Sequence, residues 1–336
     1  MQERAENKKT GKGIGIWAAM NKVPGGLLII PLVITAVINT IFPSALAIGS
    51  LTTAMFTSTG TLTIAGLLIF IAGTQLKVEQ LGAVIKRGGV LIIVKLLICI
   101  VTCTLFIKWF GLDGVLGISA VAFCAAMCST NPGVYMALVS KYGDETDLGN
   151  FAVLNILSMQ VIPIAIIASA TGTSFNAMEI VAILVPFILG IVLGNLDPVI
   201  RKVMGAGTPI LLPFLGFCFG STVNLISAFK NGLAGIALSV IVLVINVVIL
   251  VAADKLILRR PGYAFAASCA IAGIACSVPQ MLAASNEELY GQYVSSSVAT
   301  IALAMLITSL VVPFITKWTV KKWGCARPAE EAEKTK

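Results

Sequence analysis

The chain has 336 residues, of which 58% are hydrophobic and only 11% charged, and its net charge is +8. Its mean hydropathy is +0.99. A soluble domain of this size needs far more charged surface to cover its core, so these values exclude one and point to a chain solvated by lipid.

The first 22 residues are basic and interrupted by Gly11, Gly13 and Gly15, with no small-residue cleavage site after a short apolar core. They do not read as a signal peptide, so the first span is expected to stay in the mature protein. About 20 apolar residues cross the hydrocarbon layer as a helix. On that measure ten spans are expected, near 23–42, 55–76, 88–107, 115–141, 148–170, 178–196, 206–228, 232–254, 262–286 and 291–316.

Lys and Arg set the orientation. With the N-terminus in the cytoplasm, twenty of the 23 basic residues fall on that side; they include Lys22, Lys77, Lys86, Arg87, Lys141, Arg201, Arg260 and the tail. Lys108 and Lys230 fall opposite, and Lys95 lies inside a span. The positive-inside rule then gives both termini cytoplasmic, with Trp17, Trp109, Trp318 and Trp323 at the interfaces. Topology accounts for the positive charge without a nucleic-acid partner.

The halves echo each other at an offset near 147 residues. Phe70–Leu76 resembles Phe217–Thr222, Cys128–Pro132 resembles Ala275–Pro279, and Gly149-Asn150-Phe151 resembles Gly291-Gln292-Tyr293. Five spans per half require the second half to be inverted. The expected organisation is a cytoplasmic segment 1–22, a first repeat 23–170, a second repeat 171–316 and a cytoplasmic tail 317–336.

Pro132 in span 4 and Pro279 in span 9 carry the mechanistic signal. A mid-span proline removes an amide donor and clashes with the preceding turn, so both helices are expected to break there and cross at mid-membrane. The half-helix after each break presents free N–H groups suited to a carboxylate. The half-helix before it ends in free carbonyls suited to a cation, the arrangement of a transporter's central site. The expected substrate-binding residues are Thr130, Asn131, Gly133, Tyr135, Ser277 and Gln280. Thr74, Gln75, Ser221, Thr222 and Asn224, at matching ends of spans 2 and 7, come next. A coupling ion would find oxygens on Ser129, Thr130, Asn131, Asn155, Ser158 and Ser277.

Titratable groups are scarce at depth. There is no histidine, and the fifteen carboxylates fall in tails, loops or span ends. Cys99 and Cys103, like Cys124 and Cys128, share a helical face and read as apolar packing residues. No metal or organic cofactor is expected. Lys95 stands about 10 Å into span 3 by helical rise. Its alternatives are snorkelling to the headgroups, pairing with a loop carboxylate, or attraction of an anionic substrate.

Four segments, Lys22-Val23-Pro24-Gly25-Gly26, Thr130–Tyr135, Leu193–Pro198 and Ala253–Ile257, resemble the 2-keto-3-deoxygluconate permease family. The resemblance implies proton-coupled uptake of a sugar acid at the inner membrane. It also implies a fold related to bile-acid sodium symporters, with two crossed broken helices and a panel of flanking spans. The family pattern carries an aspartate where this chain has Cys128, which takes a protonatable group from the crossing. Sodium is physically open as the coupling ion, since it needs only carbonyl and hydroxyl oxygens. An uncoupled channel or facilitator for small organic anions is the alternative. A membrane-embedded enzyme is disfavoured, because no zinc-protease motif, serine–base pair or paired intramembrane aspartates are present.

Overall fold

In the computed structural model, residues 15–22, 26–43, 45–172, 177–223, 226 and 232–326 are described. Among them, regular structure is helical apart from one isolated bridge between Val115 and Ile118. The first half runs α1 (Ile16–Lys22), α2 (Gly26–Ile41), α3 (Ser50–Phe56), α4 (Thr61–Gln75) and α5 (Val78–Phe110). It continues through α6 (Ala120–Cys128), α7 (Pro132–Tyr142), α8 (Glu145–Leu157) and α9 (Val161–Thr171). The second half runs α10 (Ala177–Leu196), α11 (Pro198–Gly205), α12 (Gly207–Gly220) and α13 (Gly232–Leu256). It ends with α14 (Tyr263–Ala267), α15 (Val278–Ser285), α16 (Glu287–Tyr290) and α17 (Val294–Trp323).

Among the described residues, six segments are long and apolar enough to cross a membrane: Ser58–Gln75, Arg87–Phe110, Ala120–Tyr142, Pro198–Gly220, Gly232–Leu256 and Glu287–Trp323. The pair Thr146–Leu157 and Val161–Thr171, bent by 42°, makes a seventh if it counts as one span. Gly26–Ile41 and Val181–Leu196 are apolar but shorter. The protein is therefore a multi-pass membrane protein. Its helices turn one face inward and leave the other apolar: on α5, Leu91, Ile98 and Cys99 are buried while Ile93, Leu97, Ile100 and Val101 are exposed. Apolar exposure on that scale is stable against lipid, not water.

Packing sorts the helices into two groups. In the first, α2 lies against α12 and α4 against α10. These pairs approach to backbone contact through glycine. A Cβ on Gly190 of α10 would sit 2.1 Å from the Phe70 carbonyl oxygen, and one on Gly220 of α12 would sit 2.2 Å from that of Leu32. Small residues at such contacts are how helices associate where no hydrophobic force acts between them. In the second group α5 packs on α6, α8 and α13, and α17 packs on α13 and α14.

Both expected breaks are present, but the second lies earlier than Pro279. In span 4, α6 ends at Cys128, Ser129 to Asn131 are extended, and α7 starts with Pro132 at its first position. In span 9, α14 ends at Ala267 and the chain is irregular through Ile271 and Ala272. A 3₁₀ turn over Gly273–Ser277 then leads directly into α15. Pro279 falls in the first turn of α15, where a helix needs no N–H from it, so it breaks nothing. A third break, between α8 and α9 at Ser158 to Gln160, precedes Pro163, which has no N–H to give the Met159 carbonyl.

Candidate functional site

The two irregular segments cross and bond to each other. The Ala272 N–H donates to Ser129 Oγ at 2.9 Å, and Asn131 Nδ2 donates to the Ile271 carbonyl at 3.3 Å. Thr308 of α17 supports the crossing by accepting the Ile271 N–H at 3.1 Å. The third break joins them: Thr130 and Ser158 share a hydroxyl contact of 2.8 Å, and Ser158 Oγ reaches the Thr130 carbonyl at 2.9 Å. Opened backbone at membrane depth is thus satisfied by neighbouring breaks, as lipid exposure would not allow.

Asn131 has a second task as the N-cap of α7. Its Oδ1 accepts from the N–H groups of Gly133 at 3.1 Å and Val134 at 3.2 Å. One side chain therefore holds a half-helix N-terminus and ties it to the other broken span.

A cavity of about 810 Å³ ends on this crossing. Its floor is Asn131, Pro132, Gly133, Ala272 and Gly273, and its polar wall groups are Gln75, Asn155, Ser158, Gln160 and Thr208. Leu28, Leu68, Phe151, Phe187 and Met305 supply apolar wall. It lies between the two helix groups, with α2, α4, α10 and α12 on one side and the broken helices on the other. A large, mostly apolar pocket with a few convergent polar groups is the ordinary form of a small-molecule site.

The predicted residues divide clearly. Asn131, Gly133, Gln75, Asn155 and Ser158 line the cavity. Ser129 and Thr130 are buried in the crossing behind it. Thr74 is buried, with its hydroxyl on the Ile71 carbonyl at 2.7 Å and accepting from Gln75 at 2.8 Å. Ser277 bonds the Ile274 carbonyl, and Gln280 is buried in α15; neither is in the cavity wall. Ser221 borders a separate cavity of about 280 Å³ with Thr35, Asn39 and Thr57, while Thr222 bonds the Phe219 carbonyl. Asn224 lies outside the described residues. Sequence reasoning missed Gln160 and Thr208. Pro163 beside Gln160 was a legible sign of the third break; nothing in the sequence marked Thr208.

Tyr135 points away from the cavity into a charged cluster. Its hydroxyl donates to the Asp147 carbonyl at 2.7 Å. Arg87 pairs there with Asp147 and stands 3.7 Å from Asp254, all three buried. Arg260 bonds Asp144 at the rim, and Tyr263 donates to the Asp147 carboxylate. Asp147, expected in the loop before span 5, and Asp254, expected at a span end, are thus built into the base of the broken-helix group.

Among the described residues, Lys95 neither snorkels nor meets a carboxylate. It is 1% exposed, and its Nζ donates to Asn246 Oδ1 of α13 at 2.7 Å.

The 2-keto-3-deoxygluconate permease family profile matches residues 17–325. The chain belongs to the 2-keto-3-deoxygluconate permease family. Membership makes it a transport protein rather than an enzyme. Its relatives include 2-keto-3-deoxygluconate permease 1 of Salmonella typhimurium, 35% identical over 92% of this chain and 96% of that one. The 2-keto-3-deoxygluconate permease of an Enterobacter species is 33% identical over 92% and 94% of the two chains. That of Escherichia coli is 32% identical over 90% and 94%.

Proposed function

We propose that the protein imports 2-keto-3-deoxygluconate, or a close sugar-acid anion, across the bacterial inner membrane by alternating access coupled to a cation, H⁺ or Na⁺. The observation that carries this reading is the cavity ending on two crossed broken helices in a chain whose relatives are named for that substrate. The substrate carboxylate would lie at the N-terminus of α7, where Asn131 and the partial positive charge of the helix end face the cavity. Gln75, Asn155, Gln160 and Thr208 would meet its hydroxyls.

We read ten spans. The six long segments and the bent pair make seven; α2, α10 and the broken segment α14–α15 bring the count to ten. The packing supports two inverted halves. Exchange of halves turns the α2–α12 contact into α10–α4 and the α5–α8 contact into α13–α17, and all four pairs pack. The cavity is bordered by Met20, Gln75, Ala137 and Gly205, neighbours of the basic residues that mark the cytoplasmic side. The state is therefore read as inward-facing.

Uptake of labelled 2-keto-3-deoxygluconate into proteoliposomes tests this reading. Accumulation against a gradient that collapses with the ion gradients supports it. Equilibration indifferent to those gradients would point to a facilitator.

A further inference from the structure

Residues 23–76, which hold the first two spans and the link between them, contain no Asp, Glu, Lys or Arg. They nevertheless wall a polar hollow. The second cavity, about 280 Å³, lies between the C-terminal half of α2, the link through α3 and the end of α12. That is close to the lower bound of about 300 Å³ for small-molecule pockets. Its polar groups come from Thr35 and Asn39 of α2, Thr53, Thr57 and Thr59 of the link, and Ser221 just past α12. It shares no lining residue with the central cavity.

Most hydrogens on these groups are already committed. Thr35 Oγ1 donates to the Pro31 carbonyl at 2.9 Å, Thr57 Oγ1 to that of Thr53 at 2.7 Å, and Ser221 Oγ to that of Cys218 at 2.7 Å. Asn39 Nδ2 donates to the Val223 carbonyl at 3.4 Å, and among the described residues no donor meets its Oδ1. A hydroxyl that has spent its hydrogen still offers a lone pair, so the wall presents acceptors. A guest must bring donors, and a carboxylate would find no cation there.

The inverted reading of the halves sets this hollow against the cytoplasmic junction of α4, α10 and α11, and that junction is closed by protein donors. Gln75 Nε2 donates to the Arg201 carbonyl at 2.9 Å. Arg201 donates to the Thr74 carbonyl and to Asn195 Oδ1, both at 3.3 Å, and Asn195 Nδ2 to the Leu76 carbonyl at 2.8 Å. Residues 23–76 have no arginine or lysine with which to close the other junction in the same way. α2 starts beside Lys22 on the cytoplasmic side, so its Asn39 end lies at the outer face.

We propose that this hollow is a second binding place, open to the outer face, for the polyol part of a sugar or sugar acid. Guest hydroxyls donate to the oxygens of Thr35, Asn39, Thr57 and Ser221, while a carboxylate stays in water. An organic cation fits worse, because the lining has no carboxylate and Phe42 is its one ring, too little for an aromatic cage. The identity of the guest rests on the reading of the chain as a sugar-acid carrier; the preference for donors does not.

Ser221→Cys puts a thiol on the wall of the hollow in the full-length protein. In right-side-out vesicles a membrane-impermeant maleimide should label it, since seven native cysteines are buried and Cys325 lies on the cytoplasmic side. At about nine times its Kd, a guest that covers the thiol slows labelling about tenfold by mass action. Glucitol, a neutral hexitol, and 2-keto-3-deoxygluconate should both do so. Acetate, which has no hydroxyls, and sucrose, too large for the hollow, should not. Thr35→Val keeps the volume but removes an acceptor, and should raise the half-protecting glucitol concentration about fivefold. Protection should survive Asn131→Asp, which disables the central site; protection lost there would show that the hollow merely follows that site. A thiol out of reach from the outer side, labelling indifferent to glucitol, or unchanged protection in Thr35→Val would each overturn the proposal. Absent uptake of 2-keto-3-deoxygluconate would sink the carrier reading alone, while protection by glucitol still decides the hollow.

Discussion

Replacement of Asn131 separates two roles that one side chain performs. Asn131→Ala deletes the acceptor for the Gly133 and Val134 N–H groups and the donor to the Ile271 carbonyl. Loss of an N-cap costs about 0.5–2 kcal/mol. Loss of the bridge, long at 3.3 Å, adds roughly 0.5–1 kcal/mol. Felt at the substrate, a sum of about 1–3 kcal/mol weakens binding about five- to 150-fold. Asn131→Asp keeps the cap acceptor and favours the helix dipole, so α7 stays capped, although the donor to the Ile271 carbonyl is lost as in Asn131→Ala. It also sets a negative charge where the substrate carboxylate is placed. The expected pattern is a lowered melting temperature with weakened binding for Asn131→Ala, and a smaller drop in melting temperature with abolished binding for Asn131→Asp, which loses the bridge but keeps the cap. Thermal unfolding in detergent and equilibrium binding of labelled 2-keto-3-deoxygluconate measure the two quantities. Normal binding by Asn131→Asp would place the anion elsewhere, and an unchanged melting temperature in Asn131→Ala would refute the capping estimate.

Gly190→Ala should destabilise by about 1–3 kcal/mol, because its Cβ meets the Phe70 backbone and must part α4 from α10. Gly66→Ala, with nothing near its Cβ, should be neutral or stabilising by up to about 1 kcal/mol; the two melting temperatures moving together would undo the close-packing reading. Arg87→Leu should cost about 3–5 kcal/mol by leaving the buried Asp254 without a cation and Asp147 with only the more distant Arg260. Arg260→Ala, whose partner pair is about a third exposed, should cost no more than about 1 kcal/mol, and equal losses in denaturation would contradict the burial argument. Reporters fused after Lys141 or Arg260 should be cytoplasmic and one after Asp113 periplasmic; a cytoplasmic signal after Asp113 would break the ten-span topology.

The membrane class, the lipid-facing stretches and the break at Pro132 were legible in the sequence. Each rests on a property that is local or additive along the chain: apolar length, the placement of lysines and arginines, and a missing amide donor. The second break was not legible. Pro279 offered the same residue type as Pro132, but a proline at a helix's first turn disturbs nothing, and the chain opens instead at Ile271–Ala272. Segments that bond across 140 or more residues, as Asn131 does to Ile271 and Ser129 to Ala272, select the site of opening. Only the fold decided which polar residues face the cavity. Gln75 and Asn155 line it, whereas Ser277 and Gln280, equally plausible by type, are turned into helix packing. Lys95 is the sharpest case. By itself a lysine two turns into a span can extend to the headgroups, and its position alone gives no reason not to. It turns inward because Asn246, 151 residues away, supplies the acceptor there.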